Sequence, residues 1–259
     1  MLEAYFDESE RSNGTFAVAG FAFVKDQAKK FSREWRGLFG SYGICRMADL
    51  AARQGVFQSI SEPESARLLK EAVKIINHRT AFGAIASCNR QEMNGLLPIW
   101  FGGFEDAYVV CCHLTMIMLG AIVSESDVAD DIAYFFETGH RFQAQAHTLM
   151  GLVTGRPNLT AVYRHRSHAF MRKADAVPLQ AADMLAWEAT KYWDETAIKR
   201  VRPMRRSLVE MFREPNSPTF NSKKFRVAHV TGPALQHYAA QATQLGLAEW
   251  LEVARPPAD

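Results

Sequence analysis

The chain has 259 residues, 48% hydrophobic and 22% charged, with a net charge of +2 at pH 7. This composition fits one large folded domain, and it excludes a disordered chain, outside a short tail at 255–259, and a polycation binding through bulk charge. Any nucleic-acid contact must therefore come from a local basic patch.

The elements read in chain order as follows. Residues 2–8 form a first strand and 15–24 a second, joined by the polar turn SERSNG. The first strand ends in two adjacent acids, Asp7 and Glu8. The second is almost wholly small or apolar, so both its faces should be covered. Residues 26–38 suit an amphipathic helix with Phe31, Trp35 and Leu38 on one side. SEPES opens a helix over 61–76 with a capping serine and Pro63 in its first turn. A third strand covers 81–87.

Residues 107–123, AYVVCCHLTMIMLGAIV, are apolar enough to raise the question of a membrane. The run is short for a span, contains His113 and is flanked by Glu105, Asp106 and Glu125, so it reads as a buried core helix. A fourth strand, DIAYFFE at 131–137, again ends in an acid, Glu137. A helix over 140–153 and a fifth strand, LTAVYRH at 159–165, follow. The last long helix opens at Pro178 as PLQAADMLAWEATKYW.

Cys45, Cys88, Cys111 and Cys112 form no CxxC, and neighbouring helical side chains diverge by about 100°, so they read as small buried hydrophobes in a reducing compartment. Glu3, Asp7, Glu8 and Glu10 occupy the place of a basic leader segment, which points to a cytoplasmic chain and no membrane partner.

Three consecutive strands followed by helix–strand alternation predict an α/β fold. Its expected form is a ribonuclease H-like mixed five-stranded sheet flanked by helices, with a helical insertion at about 26–79 between strands two and three. A single domain over 1–259 is expected, with a C-terminal extension from about 196. In such an order the first and fourth strands are neighbours, which sets Asp7 beside Glu137. On the last helix Gln180, Asp183 and Trp187 share one face, while Ala182, Leu185, Ala186 and Ala189 lie opposite and can pack on the body. Each acid alone has a plain reading, as a turn residue, a helix start or a solvated face. Together they fall where one topology gathers them. Converging carboxylates repel, and oxygen-only ligands select Mg²⁺ or Mn²⁺.

FDES at 6–9, FETG at 136–139 and PLQAADMLAW at 178–187 resemble the domain of unknown function 3800 family, over about residues 2–195. That resemblance implies a ribonuclease H-like protein with Asp7, Glu137 and Asp183 as acidic site residues, Glu8 and Ser9 beside the first, and Gln180 paired with Asp183. The arrangement is also similar to that of Holliday-junction resolvases of the same class. Two positions depart from the family pattern: Glu10 stands where Gly is usual, and Arg46 stands where a His often precedes the segment MADLAARQGVF.

YRHRSHAFMRK at 163–173 concentrates Arg164, His165, Arg166 and His168 just before the acidic helix, as phosphate contacts or proton donors or as a solvated loop. KRVRPMRR at 199–206 is a second basic patch. His140 and His147 lie seven apart without the HExxH spacing of a zinc site, leaving His140 a role beside the metal region. The expected function is a Mg²⁺- or Mn²⁺-dependent nuclease. Asp7, Glu137 and Asp183 would bind metal, Glu8 would be a further acid, and DNA or RNA the partner. The rivals are a non-catalytic nucleic-acid-binding or regulatory protein of the same fold and a small-molecule phosphoesterase.

Overall fold

The computed structural model describes residues 1–24, 26–100, 106–128, 130–197, 204–212 and 224–234. The elements are β1 (Leu2–Glu10), β2 (Thr15–Phe23), α1 (Gln27–Phe39), α2 (Met47–Ala52), α3 (Glu62–Arg79), β3 (Phe82–Asn89), α4 (Arg90–Trp100) and α5 (Ala107–Glu125). They continue with β4 (Ile132–Glu137), α6 (Gln143–Thr154), α7 (Pro157–Val162), β5 (His165–Met171), α8 (Leu179–Ala197), α9 (Arg206–Phe212) and β6 (Phe225–Val230). The strands form one mixed sheet in the order β5-β4-β1-β2-β3-β6. β1 pairs antiparallel with β2 and β2 with β3, while β1–β4, β4–β5 and β3–β6 are parallel.

The chain is thus α/β, and the sheet has six strands where five are read from the sequence. The sixth, β6, comes from the expected C-terminal extension and seals the edge of β3, so this part of the chain belongs to the sheet. The fifth strand is also displaced. Residues 157–162 are helical, with Pro157 in the first turn, where its fixed φ suits a helix and its missing N–H costs nothing. Thr160 and Val162 supply the β-branched pattern that reads as strand. The strand itself is His165–Met171, so most of the basic segment lies in the sheet rather than in a loop after it.

Alternation along the strands divides the core. Phe6, Phe16, Tyr134 and Phe136 face the layer built around α5 and α6. Tyr5, Phe21, Phe23, Ile85 and Phe225 face the layer built around α1, α3, α8 and α9. β2 is buried on both faces along its whole length. Among the described residues α5 is the helix long and apolar enough to cross a membrane, and here it is mostly buried in the core. The four cysteines are free and buried. The Ser61 hydroxyl accepts the Glu64 amide at 3.3 Å and so starts α3.

Gly120 lets α5 approach the end of α7: a Cβ there would lie 2.4 Å from the carbonyl oxygen of Val162. Ala at this position gains about 1 kcal/mol of helix propensity but forces two backbones apart, at about 1–3 kcal/mol or more. We expect Gly120→Ala to lower the urea midpoint; a raised midpoint would show that α7 yields freely.

His113, buried within α5, is hydrogen-bonded to the Tyr163 hydroxyl. Burial pushes its pKa down to about 4 from 6.5. The unfolded chain takes up this proton as pH falls through about 6.5, the folded chain only near 4, so stability is lost as pH drops across that window. In His113→Gln the fall in stability between pH 7 and pH 4 should be shallower by an amount on the order of 3 kcal/mol. Parallel curves for the two proteins would assign the slope to other groups.

Candidate metal centre

The first strand does not end at its acids, since β1 continues to Glu10 along β2, but its parallel register with β4 ends with Phe6 opposite Phe136, so the next residues, Asp7 and Glu137, stand side by side where the two strands part. They continue the face on which Tyr5 stacks on Phe135 at 4.9 Å. α8 crosses this face, its buried Ala181, Ala182, Leu185, Ala186 and Ala189 allowing close approach to the strands. Asp183 projects from its first turns. Into the space between the three acids comes Lys173, from the turn after β5. Its Nζ lies 2.7 Å from Asp7 Oδ2, 2.7 Å from Glu137 Oε2 and 2.9 Å from Asp183 Oδ1. The structure therefore gathers all three acids around one point, and that point holds a positive charge the sequence reading did not assign there.

The electrostatics follow from burial and mutual repulsion. Asp7 is 1% exposed, and burial, then a hydrogen bond to Glu137, raise its pKa well above the usual carboxylate range, against the pull of Lys173. Burial pushes Glu137 up as well, but the bond from Asp7 and the Lys173 ammonium outweigh it and hold Glu137 low. The two neighbours are thus pushed apart, Asp7 toward the protonated form and Glu137 toward the charged one. Burial pushes Lys173 down, but Asp7, then Asp183, outweigh it, raise its pKa above the ordinary lysine value and keep it protonated.

The remaining contacts fix the acids. Asp7 Oδ1 accepts the Glu8 amide at 2.8 Å, and Asp183 Oδ2 accepts the Met47 amide at 2.6 Å where α2 begins. Gln180 does not touch the carboxylates. Its Oε1 accepts from Trp35 Nε1 at 2.9 Å and from the Cys45 amide at 2.8 Å, and its Nε2 faces the Lys173 carbonyl at 3.4 Å. It positions both the loop leading to Met47 and the backbone of Lys173. Ser9 turns away to Thr190, 3.1 Å between hydroxyls.

Glu8 sits on the other side of β1, yet one of its oxygens lies within 4.8 Å of ligand atoms of both Asp7 and Glu137. Burial, then the Glu137 charge, push its pKa up to about 7. It opens onto a cleft of about 650 Å³ lined with Glu10, Arg90, Gln91, Asn94, His140 and Arg141. Arg90 grips the buried Asp106 through two bonds of 3.0 and 2.8 Å, pairs with Glu10 and lies 3.2 Å from His140 Nε2. His140 stacks on Tyr108 at 3.8 Å. Burial, then Arg90, push its pKa down to about 4. This Arg90–Asp106 network, joining β1, α4 and α5, was not read from the sequence, because neither residue belongs to a spaced motif.

Arg164, His165, Arg166 and His168 are not brought to the acids. His165 pairs with Ile132 at the start of β4, the far end of that strand from Glu137, and Arg164 Nε donates to the Asp130 carbonyl at 3.1 Å. In the segment 199–206, residues 199–203 lie outside the described residues. Arg205 pairs with buried Glu188 at 3.1 Å and covers the Trp187 ring at 4.7–4.8 Å together with Arg11, while Arg206 is exposed.

Asp7, Glu8 and Glu137 could hold a divalent cation. Their donors are all oxygens, and Asp7 Oδ2, fully buried, has no aligned hydrogen-bond donor despite its short ion pair. Asp183 shares Lys173 with two of them and completes an acidic wall.

No family model and no curated protein matches the chain. A structure of the PCNA:RNase HII complex from Archaeoglobus fulgidus is similar with a TM-score of 0.41 and 10% identity, over 95% of this chain and 91% of that chain. So slight a similarity bears no weight at the site, which stands on its own geometry.

Lys173→Met removes the one ammonium that touches all three acids. Loss of one partner in a buried ion cluster costs about 3–5 kcal/mol, somewhat less where an acid can protonate. The variant should melt lower than wild type in chelator and regain more of its stability with Mn²⁺. Equal melting with no metal response would show that the acids need no counter-charge.

Proposed function

We propose that this chain is a divalent-metal-dependent phosphodiesterase acting on nucleic acid, with a ribonuclease H-like fold of the domain of unknown function 3800 kind. One observation carries the reading: β1, the end of β4 and the face of α8 direct Asp7, Glu137 and Asp183 at a single cation seat. A protein that merely bound nucleic acid would gain nothing from acids that repel phosphate.

Asp7 and Glu137 would hold Mg²⁺ or Mn²⁺, with Asp183 beside them around the place of the Lys173 ammonium and Glu8, whose carboxylate also comes within 4.8 Å of both, as a further ligand. When bound, the cation supplies Lewis acidity toward a phosphoryl oxygen. The chain's own residues do the rest. Three acids against one ammonium leave an excess of negative charge for a divalent ion to neutralise. Arg90, Asn94, His140 and Arg141 line an open cleft on the Glu8 side, where backbone phosphates can lie. On the α2 side, exposed Arg46 is close enough to lower the Glu137 pKa and offers a second phosphate contact. Gln180 holds the segment that carries Arg46 and the amide bound to Asp183. The open cleft favours a polymer over a small phosphoester.

The test is cleavage of labelled single- and double-stranded DNA, RNA and hybrid in Mn²⁺, with Asp7→Asn as control. Cleavage should require metal and fall at least about 100-fold in Asp7→Asn, with the circular dichroism spectrum unchanged. Full activity in Asp7→Asn would overturn the assignment. Hydrolysis confined to small phosphoesters would overturn the nucleic-acid substrate.

A further inference from the structure

Three imidazoles form a connected chain at the sheet edge, away from the acidic centre. His165 Nε2 lies 3.1 Å from His168 Nδ1, and His168 Nε2 lies 3.0 Å from His147 Nδ1. In a regular strand, residues three apart point to opposite faces. Here β5 carries an irregularity: Ile132 pairs with His165 but Ala133 with Ser167, so Arg166 is the extra residue. That bulge turns His165 and His168 to the same face, where His147 of α6 meets them. The three rings are graded in exposure. His165 is buried and stacks on Tyr134 at 5.8 Å, His168 is half-buried, and His147 is exposed. No carboxylate takes part in these contacts.

We propose that His168 Nε2 and His147 Nδ1 form a second metal site, for a nitrogen-seeking divalent ion of the zinc class, with His165 as the residue that orients His168. With His168 Nδ1–H donated to His165 Nε2, the Nε2 of His168 keeps its lone pair and faces His147. This is the usual division of labour in a metal-ligating histidine, whose second nitrogen is held by a neighbour. Zinc–nitrogen bonds of about 2.0–2.1 Å in a tetrahedral site hold two nitrogens about 3.3–3.4 Å apart. The observed 3.0 Å needs only a slight opening of the pair. The exposed side of His147 leaves the other positions to water, so the site is reachable from solvent and is built from imidazole alone. That donor set selects Zn²⁺, Ni²⁺ or Cu²⁺ over the Mg²⁺ and Mn²⁺ that suit the acidic centre. The two sites are chemically separable, and this one does not depend on the proposed nuclease reading.

The experiment is calorimetric titration of Zn²⁺ into metal-free full-length protein, compared with Asp7→Asn, His147→Ala and His168→Gln. A site retained in Asp7→Asn and weakened at least tenfold in both histidine variants supports the proposal. His147 is exposed, so its loss leaves the fold intact, as circular dichroism will verify. Cu²⁺ bound to Asp7→Asn should give an electron paramagnetic resonance spectrum with coupling to two imidazole nitrogens. Zinc affinity unchanged by His147→Ala, or lost in Asp7→Asn, would assign the ion elsewhere and overturn it.

Discussion

The structure is organised around a repulsion. Asp7, Glu137 and Asp183 are held close together in a largely buried place, where like charges are costly, and a single ammonium lies among them. A fold does not converge buried acids for stability, because apolar residues of the same size would serve at least as well. The raised pKa of Asp7 and the charge on Lys173 are two ways of easing the same excess, and a divalent cation is a third.

The rest of the fold serves that point. β1, β4 and β5 are parallel, so they run toward one end of the sheet, and Asp7, Glu137 and the turn bearing Lys173 gather there. α8 lies close over β1 and β2 through its alanine-rich face, which sets the height of Asp183 above the strands. The helical insertion is tied in from the side. Trp35 of α1 and the Cys45 amide meet on Gln180, and the start of α2 donates to Asp183. On the opposite side the buried Arg90–Asp106 pair locks α4 to α5 and shapes the cleft beside Glu8.

Much of this was legible from residue order. Asp7 and Glu137 are visible because each follows an apolar strand run and the strand order makes them neighbours, although β1 continues past Asp7 to Glu10 and only β4 ends at its acid. Asp183 followed from the helical spacing that sets it opposite the packing alanines. Lys173 was not legible in its role: it closes a run of basic residues, and composition there suggests phosphate contact rather than an inward counter-ion. The same run concealed the fifth strand, because a bulge and alternating polar residues on an edge strand break the apolar pattern. Thr160 and Val162 drew the strand to a helix whose start is set by Pro157. β6 lay in a stretch whose neighbours gave no strand signal, and its place depends on pairing with β3, which no local pattern records. Long-range pairing and inward charge are tertiary facts, and it is there that local reading stops.

The seat now taken by the Lys173 ammonium is proposed to be a divalent-cation seat. Crystals grown with Mn²⁺ and measured at the manganese absorption edge test it most directly. An anomalous peak within bonding distance of Asp7 and Glu137, with Lys173 Nζ moved off at least one of its three acids, is expected. Manganese absent from the cluster under saturating metal, with Lys173 still seated among Asp7, Glu137 and Asp183, would contradict it.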